Sequence, residues 1–102
     1  MRIRILDDAE DEARVAARWY EEKQSGLGAD FLDTLADALA TVESHPQAFS
    51  LMETFTSSRE VRRCVLHRFP YVVVYEVRAE EVIVLAVAHS RRRPNYWEQR
   101  EG

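Results

Sequence analysis

Cysteine, lysine and long apolar runs are scarce in this sequence of 102 residues. Cys64 is the single cysteine, which excludes an internal disulfide and argues against a cysteine-based zinc site. No apolar run approaches the roughly 18 residues that a membrane span needs, and no apolar stretch after Met1 resembles a secretory signal. We therefore expect a cytoplasmic protein with no membrane contact, no metal and no cofactor, in which Cys64 is a small core residue.

The composition is that of one globular domain spanning residues 1–102, with 46% hydrophobic and 31% charged residues. The net charge is −4, but it is unevenly distributed. Residues 1–60 hold six Lys/Arg and thirteen Asp/Glu, giving −7, whereas residues 61–102 hold eight Arg and five Glu, giving +3. A local basic surface can bind an anionic partner even in an acidic protein, although the overall acidity argues against tight non-specific nucleic-acid binding.

Two helices are predicted in the first half of the chain. Residues 8–24 carry alanines at helical spacing, with Asp7 as the N-cap and Glu10 three residues later to close a capping box. Residues 28–44 carry an apolar stripe that is typical of an amphipathic helix. The connection is short, so we expect an antiparallel helical hairpin.

Four strands are predicted around this hairpin. Ile3 and Ile5 alternate with arginines, which indicates a short first strand. Three further strands are expected over 61–68, 71–78 and 82–88, joined by short connections that favour an antiparallel meander, and residues 47–58 are expected to form a loop. The predicted fold is α+β with the order β-α-α-β-β-β, a helical hairpin packed on a small, mostly antiparallel sheet.

Segments along nearly the whole chain resemble the RelE/ParE toxin family. The family's helix-hairpin junction is similar to residues 17–20 (ARWY) and 26–31 (GLGADF), and its second and third strands are similar to residues 61–63 (VRR) and 67–71 (HRFPY). The segment that leaves its last strand is similar to residues 87–97 (VAHSRRRPNYW). The last two similarities favour the ParE-like branch.

This resemblance implies the toxin of a type II toxin–antitoxin system, in a hetero-oligomer with a ParD- or RelB-like antitoxin encoded beside it. ParE-like members inhibit DNA gyrase, whereas RelE-like members cleave messenger RNA on the ribosome. Gyrase inhibition needs a protein-binding surface and no catalytic residue. Since Arg, Tyr and Trp most often anchor such surfaces, the residues predicted to bind the target are Arg91, Arg92, Arg93, Tyr96, Trp97 and Arg100.

A metal-free ribonuclease is the second interpretation. It must bind a charged phosphorane and move protons, and arginine forks suit the phosphate oxygens. The candidates for these roles are Arg62, Arg63, His89, Arg92 and Tyr96. The family's ribonucleases also use lysines in the strand region, but the single lysine here is Lys23 on the first helix, so we rank this activity second. A third interpretation is a non-toxic, antitoxin-binding protein of the same fold.

The same residues also allow a purely structural interpretation. The three arginines could pair with the acidic helices, and Tyr96 and Trp97 could fold back over the sheet. The antitoxin is expected to wrap the toxin with a segment that folds on binding. Apolar residues without a place in so small a core are the candidates for its groove, and these are Leu27, Phe31, Leu35 and Phe55.

Overall fold

The computed structural model describes residues 1–52 and 58–101. Its elements follow the order β1 (Arg2–Ile5), α1 (Asp7–Lys23), α2 (Leu27–Ser44), β2 (Ser50–Leu51), β3 (Glu60–Val65), β4 (Tyr71–Val77) and β5 (Glu81–His89). The predicted order of helices and long strands is confirmed. Residues 47–58 are not wholly a loop as expected, because the two-residue strand β2 lies among them.

The five strands form one sheet in the order β1-β5-β4-β3-β2. Strand β1 pairs with β5 in parallel, and the other three pairings are antiparallel, so the sheet is mostly antiparallel as predicted. Residues 82–88 of β5 are all buried. This explains the continuous apolar run of that strand, because β5 has a strand on each side and a packed layer on each face.

The helical hairpin covers one face of the sheet. Small alanines on α1 are buried there together with Phe31, Val73, Tyr75 and Val84. Cys64 belongs to this layer, as predicted, and burial raises the pKa of its thiol. The Tyr75 hydroxyl donates to the carbonyl oxygen of Pro46 at 2.6 Å, which ties the end of the hairpin to β4.

The beginning of α1 differs from the prediction. Leu6, not Asp7, is the N-cap residue, and no side-chain cap hydrogen bond forms. The Leu6 amide instead donates to the carbonyl oxygen of Val84 at 3.1 Å, because the chain enters the helix directly from the parallel strand pair. Asp7 and Glu10 lie in the first turn, where their charges favour the helix dipole.

The opposite face of the sheet carries a second core. Between β4 and β5 the register shifts at Val74/Tyr75, since Val74 pairs with Ala86 and Tyr75 with Val84, leaving Leu85 unpaired. Leu85 and Ala86 therefore both belong to this second core. It is covered by Trp97, whose exposed fraction is 2%.

The junction between the helices depends on Gly28. A Cβ atom there would lie 2.6 Å from the Ala17 carbonyl oxygen, which is closer than carbon and oxygen can approach. The Glu21 carboxylate accepts hydrogen bonds from the amides of Gly28 (3.0 Å) and Gly26 (3.0 Å), holding the turn against α1.

Replacing Gly28 with alanine should lower the free energy of unfolding by about 1–3 kcal/mol, the usual cost of overpacking. This is opposite in sign to the ordinary gain from glycine to alanine in a helix. Urea unfolding of the two proteins measures it. The control is Gly26→Asn, because Gly26 has a φ of 89° and open space around it and asparagine tolerates that backbone. A Gly28→Ala protein as stable as the parent would contradict the close approach.

Candidate functional site

The residues that follow β5, 90–101, form a chain of turns that we term the C-terminal segment. The Ser90 amide donates to the Pro70 carbonyl oxygen at 2.8 Å, so the segment starts beside the β3–β4 connection. Later turns are closed by Glu98 to Asn95 (3.0 Å) and Arg100 to Trp97 (2.9 Å). The segment thereby runs back over the second core instead of leaving the domain.

A single carboxylate on α1 holds this segment. Glu12 accepts a hydrogen bond from the Tyr96 hydroxyl at 2.6 Å and from the Arg100 guanidinium at 3.1 Å. It also accepts one from the backbone amide of Val87 at 3.0 Å. Arg100 donates in addition to the Leu85 carbonyl oxygen at 2.9 Å. Glu12 thus joins the first helix, the bulged part of β5 and the C-terminal segment.

The end of the segment is held by a second buried ion pair, which centres on Arg59. Arg59 pairs with Glu76 at 2.9 Å, with 10% and 8% of the two side chains exposed. The same guanidinium donates to the carbonyl oxygens of Glu98 (2.6 Å) and Arg100 (3.0 Å). Arg59 therefore binds a carboxylate and two carbonyl groups at once. Together with Glu12, it holds the segment from Tyr96 to Arg100.

Three predicted target-binding residues are therefore used inside the domain. Trp97 fills the second core, and Tyr96 and Arg100 are bound to Glu12. The prediction that Trp97 contacts a target is corrected here, because its buried ring offers no surface to a partner. The structural alternative, in which these aromatic residues fold back over the sheet, describes them better.

The other predicted target-binding residues, Arg91, Arg92 and Arg93, are exposed. Arg92 and Arg93 line a pocket of about 170 Å³ together with Arg63 and His89, over a floor that includes Tyr96 and Trp97. Among the described residues, those that line it include no carboxylate. The Arg92 guanidinium lies 4.0 Å from the centre of the Tyr96 ring, a cation–π contact. We term this site the basic pocket.

The arginine and lysine side chains divide into two groups. Eight of them lie within 4 Å of a carboxylate oxygen. The other six have no carboxylate partner among residues 1–52 and 58–101, and they are Arg18, Lys23, Arg63, Arg91, Arg92 and Arg93. Although the protein is acidic overall, no carboxylate of residues 1–52 or 58–101 therefore pairs with the arginines of the basic pocket.

The residues predicted for a ribonuclease are only partly brought together. Arg63, His89, Arg92 and Tyr96 all line the basic pocket. Arg62 does not, because neighbouring strand residues point to opposite faces, and its guanidinium is bound to Glu60 at 2.9 Å and to the Phe49 carbonyl oxygen. The prediction that Arg62 shares a site with these residues is therefore wrong.

Each of the two candidate acid–base groups already makes a hydrogen bond inside the domain. Burial and the bond to Glu12 raise the pKa of Tyr96 well above its usual value, so its hydroxyl stays protonated and points at α1. The His89 Nδ1 atom accepts a hydrogen bond from the Arg91 amide at 3.0 Å. Of these two groups, the one that can still give or accept a proton in the pocket is His89, through its Nε2 atom.

A second cavity lies between the helices, which we term the apolar groove. It measures about 360 Å³ and is lined by Ile5 of β1, Leu32, Leu35 and Leu39 of α2, alanines 9, 13 and 17 of α1, and Val84 and Val87 of β5. Glu10 and Arg14 also line it. Ile5 and Leu32 are 37% and 46% exposed.

The residues predicted to bind the antitoxin are placed differently from one another. Leu35 lines the apolar groove, and Leu27 is half-buried against the first core. Phe31 is fully buried among Tyr20, Phe69 and Tyr71, so the expectation that it faces a partner is corrected. Phe55 lies outside the described residues.

Sequence reasoning missed Ile5, Leu32 and Leu39 as groove residues. For Leu32 and Leu39 the available signal was their place in the apolar stripe of α2. Among the residues that the structure describes, no helix is long and apolar enough to span a bilayer, and no cluster of metal-ligating side chains is present.

A helical hairpin on a five-stranded mixed sheet, with a basic segment leaving the last strand, is the arrangement that the resemblance to RelE/ParE-type toxins implies. Residues 3–94 match the family model described as ParE toxin of type II toxin-antitoxin system, parDE, and the chain belongs to this family. No curated protein matches the sequence significantly.

The fold also matches solved structures. One of these is described as the chromosomal ParDE TA system from P. aeruginosa. The match has a TM-score of 0.62 at 16% sequence identity, and it covers 87% of this chain and 95% of the other. At this identity the likeness shows the fold alone.

Removing the Glu12 carboxylate should destabilise the protein strongly. Glu12→Ala leaves the Tyr96 hydroxyl, the Arg100 guanidinium and the Val87 amide without their partner, so we expect a loss of about 3 kcal/mol in the free energy of unfolding. Urea denaturation followed by tryptophan fluorescence measures it, since Trp97 belongs to the same segment and is buried in the second core.

Glu10→Ala is the matched control on the same helix. Glu10 makes only an exposed pair with Arg14 at 3.2 Å, so its removal should change stability by less than about 0.5 kcal/mol. Equal losses in the two variants would show that the C-terminal segment does not depend on Glu12.

Proposed function

We propose that this ParE-family chain arrests growth by binding DNA gyrase through the basic pocket and the exposed Arg91–Arg93 run. A ParD-like antitoxin would neutralise it by filling the apolar groove. The observation that carries the first part is the set of arginines that have no carboxylate partner in the described part of the chain. In a protein of net charge −4, such a set supports a binding role for these side chains over a purely structural one.

The geometry supports a protein target. Arginine is one of the residues that most often dominate binding energy at protein interfaces. Arg92 is held against the Tyr96 ring, and Tyr96 is itself fixed by Glu12. A side chain held in this way loses less conformational freedom on binding. An acidic region of the partner would supply the carboxylates that the domain does not supply.

Ribonuclease action is the second candidate, and one observation favours it. Arg63, His89 and Arg92 converge on a single pocket whose size suits a phosphate group. Against it, the Tyr96 hydroxyl is committed to Glu12, and the single lysine lies on α1 beside Trp19. The acidity of the whole chain also disfavours the anionic ribosome.

The apolar groove supports an antitoxin partner. Most of the residues that line it are aliphatic, and the cavity is open to solvent. A contiguous apolar surface that faces solvent often marks a binding site. It adjoins β1, which is an edge strand of the sheet. A partner segment could add a strand to β1 and place apolar side chains between the helices. Leu35 remains in this proposed site, joined by Ile5, Leu32 and Leu39.

Changing Arg91, Arg92 and Arg93 together to glutamine should raise the concentration needed to inhibit gyrase supercoiling by 100-fold or more, since several interface arginines at about 1 kcal/mol or more each are lost. The matched control changes Arg2, Arg14 and Arg68 to glutamine. These arginines are exposed and already have carboxylate partners. Both triple variants have the same net charge, so only the position differs.

Induced expression in cells distinguishes the remaining interpretations. Filamentation with a DNA-damage response supports gyrase as the target, and rapid translation arrest with cleaved messages would support the ribonuclease instead. Normal growth with the unaltered chain would identify a non-toxic binding protein. If the Arg91–Arg93 variant inhibited gyrase as strongly as the parent, the proposed role of these arginines in target binding would be wrong.

Placing a charge in the groove should separate neutralisation from toxicity. Leu32→Asp puts a carboxylate on a half-exposed wall of the groove, so co-expressed antitoxin should no longer restore growth while toxicity is retained. Leu51→Asp is the control, because Leu51 is 61% exposed on β2, away from the groove. Rescue of the Leu32→Asp strain as complete as that of the parent would place the antitoxin elsewhere.

A further inference from the structure

The outer flank of α1 exposes two large apolar side chains. Val15 is 66% exposed and Trp19 is 52% exposed. They are four residues apart, so they lie side by side on the helix. The Trp19 ring packs edge-on against Tyr20 at 5.1 Å, and the Lys23 ammonium lies 4.8 Å from its centre. Trp19 is thus held in a defined position while half of it faces solvent.

This flank is continuous with the basic pocket. An open cleft of about 320 Å³ separates α1 from the end of β5, and its lining includes Val15, Tyr71, His89 and Arg92 together with the carboxylates of Asp11 and Glu12. Both carboxylates are already bound within the domain, Asp11 to Arg14 and Glu12 to Tyr96 and Arg100. His89 and Arg92 also line the basic pocket. One surface therefore runs from Trp19 through Val15 and the cleft to the arginines of the C-terminal segment.

The same flank is separate from the apolar groove. The groove is lined by Ala9, Ala13 and Ala17 of α1. At 3.6 residues per turn, Val15 and Trp19 project from a different side of the helix than these alanines. A partner bound in the groove and a partner bound to Trp19 would contact opposite flanks of α1.

The charge around the flank indicates the chemistry of its partner. The exposed Glu22 lies three residues after Trp19 on α1. The cations are more numerous, because Lys23 lies over the Trp19 ring, Arg18 precedes it on the helix, and Arg91 and Arg92 adjoin His89 at the other end of the surface. These are four of the six cations that have no carboxylate partner among the described residues. The complementary partner surface is an apolar patch bordered by carboxylates.

We infer, resting on the proposed function, that Val15 and Trp19 form one docking surface with His89 and Arg92, and that its occupant is the toxin's target protein. The basic pocket supplies charge complementarity, and Trp19 supplies the apolar anchor that an arginine surface alone lacks. Tryptophan and arginine are among the residues that most often dominate the binding energy of protein interfaces. The antitoxin is assigned to the other flank.

The test compares Trp19→Ala and Val15→Asp with the unaltered chain in three measurements, which are growth arrest on induction, inhibition of gyrase supercoiling, and co-purification with the antitoxin. Both variants should lose growth arrest and inhibit gyrase on the order of 30-fold more weakly. Both should still co-purify with the antitoxin and melt near the parent's temperature, because both positions are exposed.

Val65→Asp is the matched control, since Val65 is 63% exposed on β3 and lies outside this surface. It should behave as the parent in all three measurements. Full growth arrest by Trp19→Ala and Val15→Asp would overturn the docking surface. So would loss of the antitoxin complex with growth arrest retained, because the flank would then belong to the antitoxin.

The measurements can disprove gyrase as the target without disproving the docking surface. If the parent arrests growth without inhibiting gyrase, the gyrase proposal is wrong, and loss of arrest in Trp19→Ala would still support target docking on this flank. If the parent does not arrest growth at all, both proposals are overturned.

Discussion

The Glu12 carboxylate is the interaction on which the rest of this structure depends. It binds a tyrosine hydroxyl and a guanidinium of the C-terminal segment and a backbone amide of β5. The amide is that of Val87, which follows the unpaired Leu85 in β5. Because one helical side chain satisfies all three donors, the position of α1, the path of β5 and the course of the C-terminal segment are fixed together.

This arrangement couples the stability of the domain to the position of its exposed arginines. The sheet has apolar side chains on both faces, but its helices cover only one. The segment that carries the exposed arginines also places Trp97 over the other face. A change that loosens the segment therefore exposes the second core and misplaces Arg92 at the same time. Loss of toxicity alone would not identify a contact residue here, which is why a measure of folding has to accompany it.

The sequence predicted the order of the elements well because periodicity and turn residues are local signals. Residues 28–44 and 82–88 show them clearly, and their helix and strand appear close to the expected bounds. The two-residue strand β2 and the bulge at Leu85 were not predictable in this way, because both depend on the register of a neighbouring strand. The same limit applies to the site. Arg62 and Arg63 are adjacent in sequence, and only the pairing of β3 with β4 decides which of them faces the pocket. The position of Trp97 depends on a second core that no local pattern reveals.

The bond between Glu12 and Arg100 spans 88 positions of the sequence. A contact over this sequence distance closes a long loop, so it forms only when α1 and the C-terminal segment meet in the folding chain. The same closure brings Trp97 onto Val74, Ile83 and Leu85 and the Tyr96 ring onto the Arg92 guanidinium. The cover of the second core and the placement of Arg92 therefore belong to one non-local step in the folding of this domain.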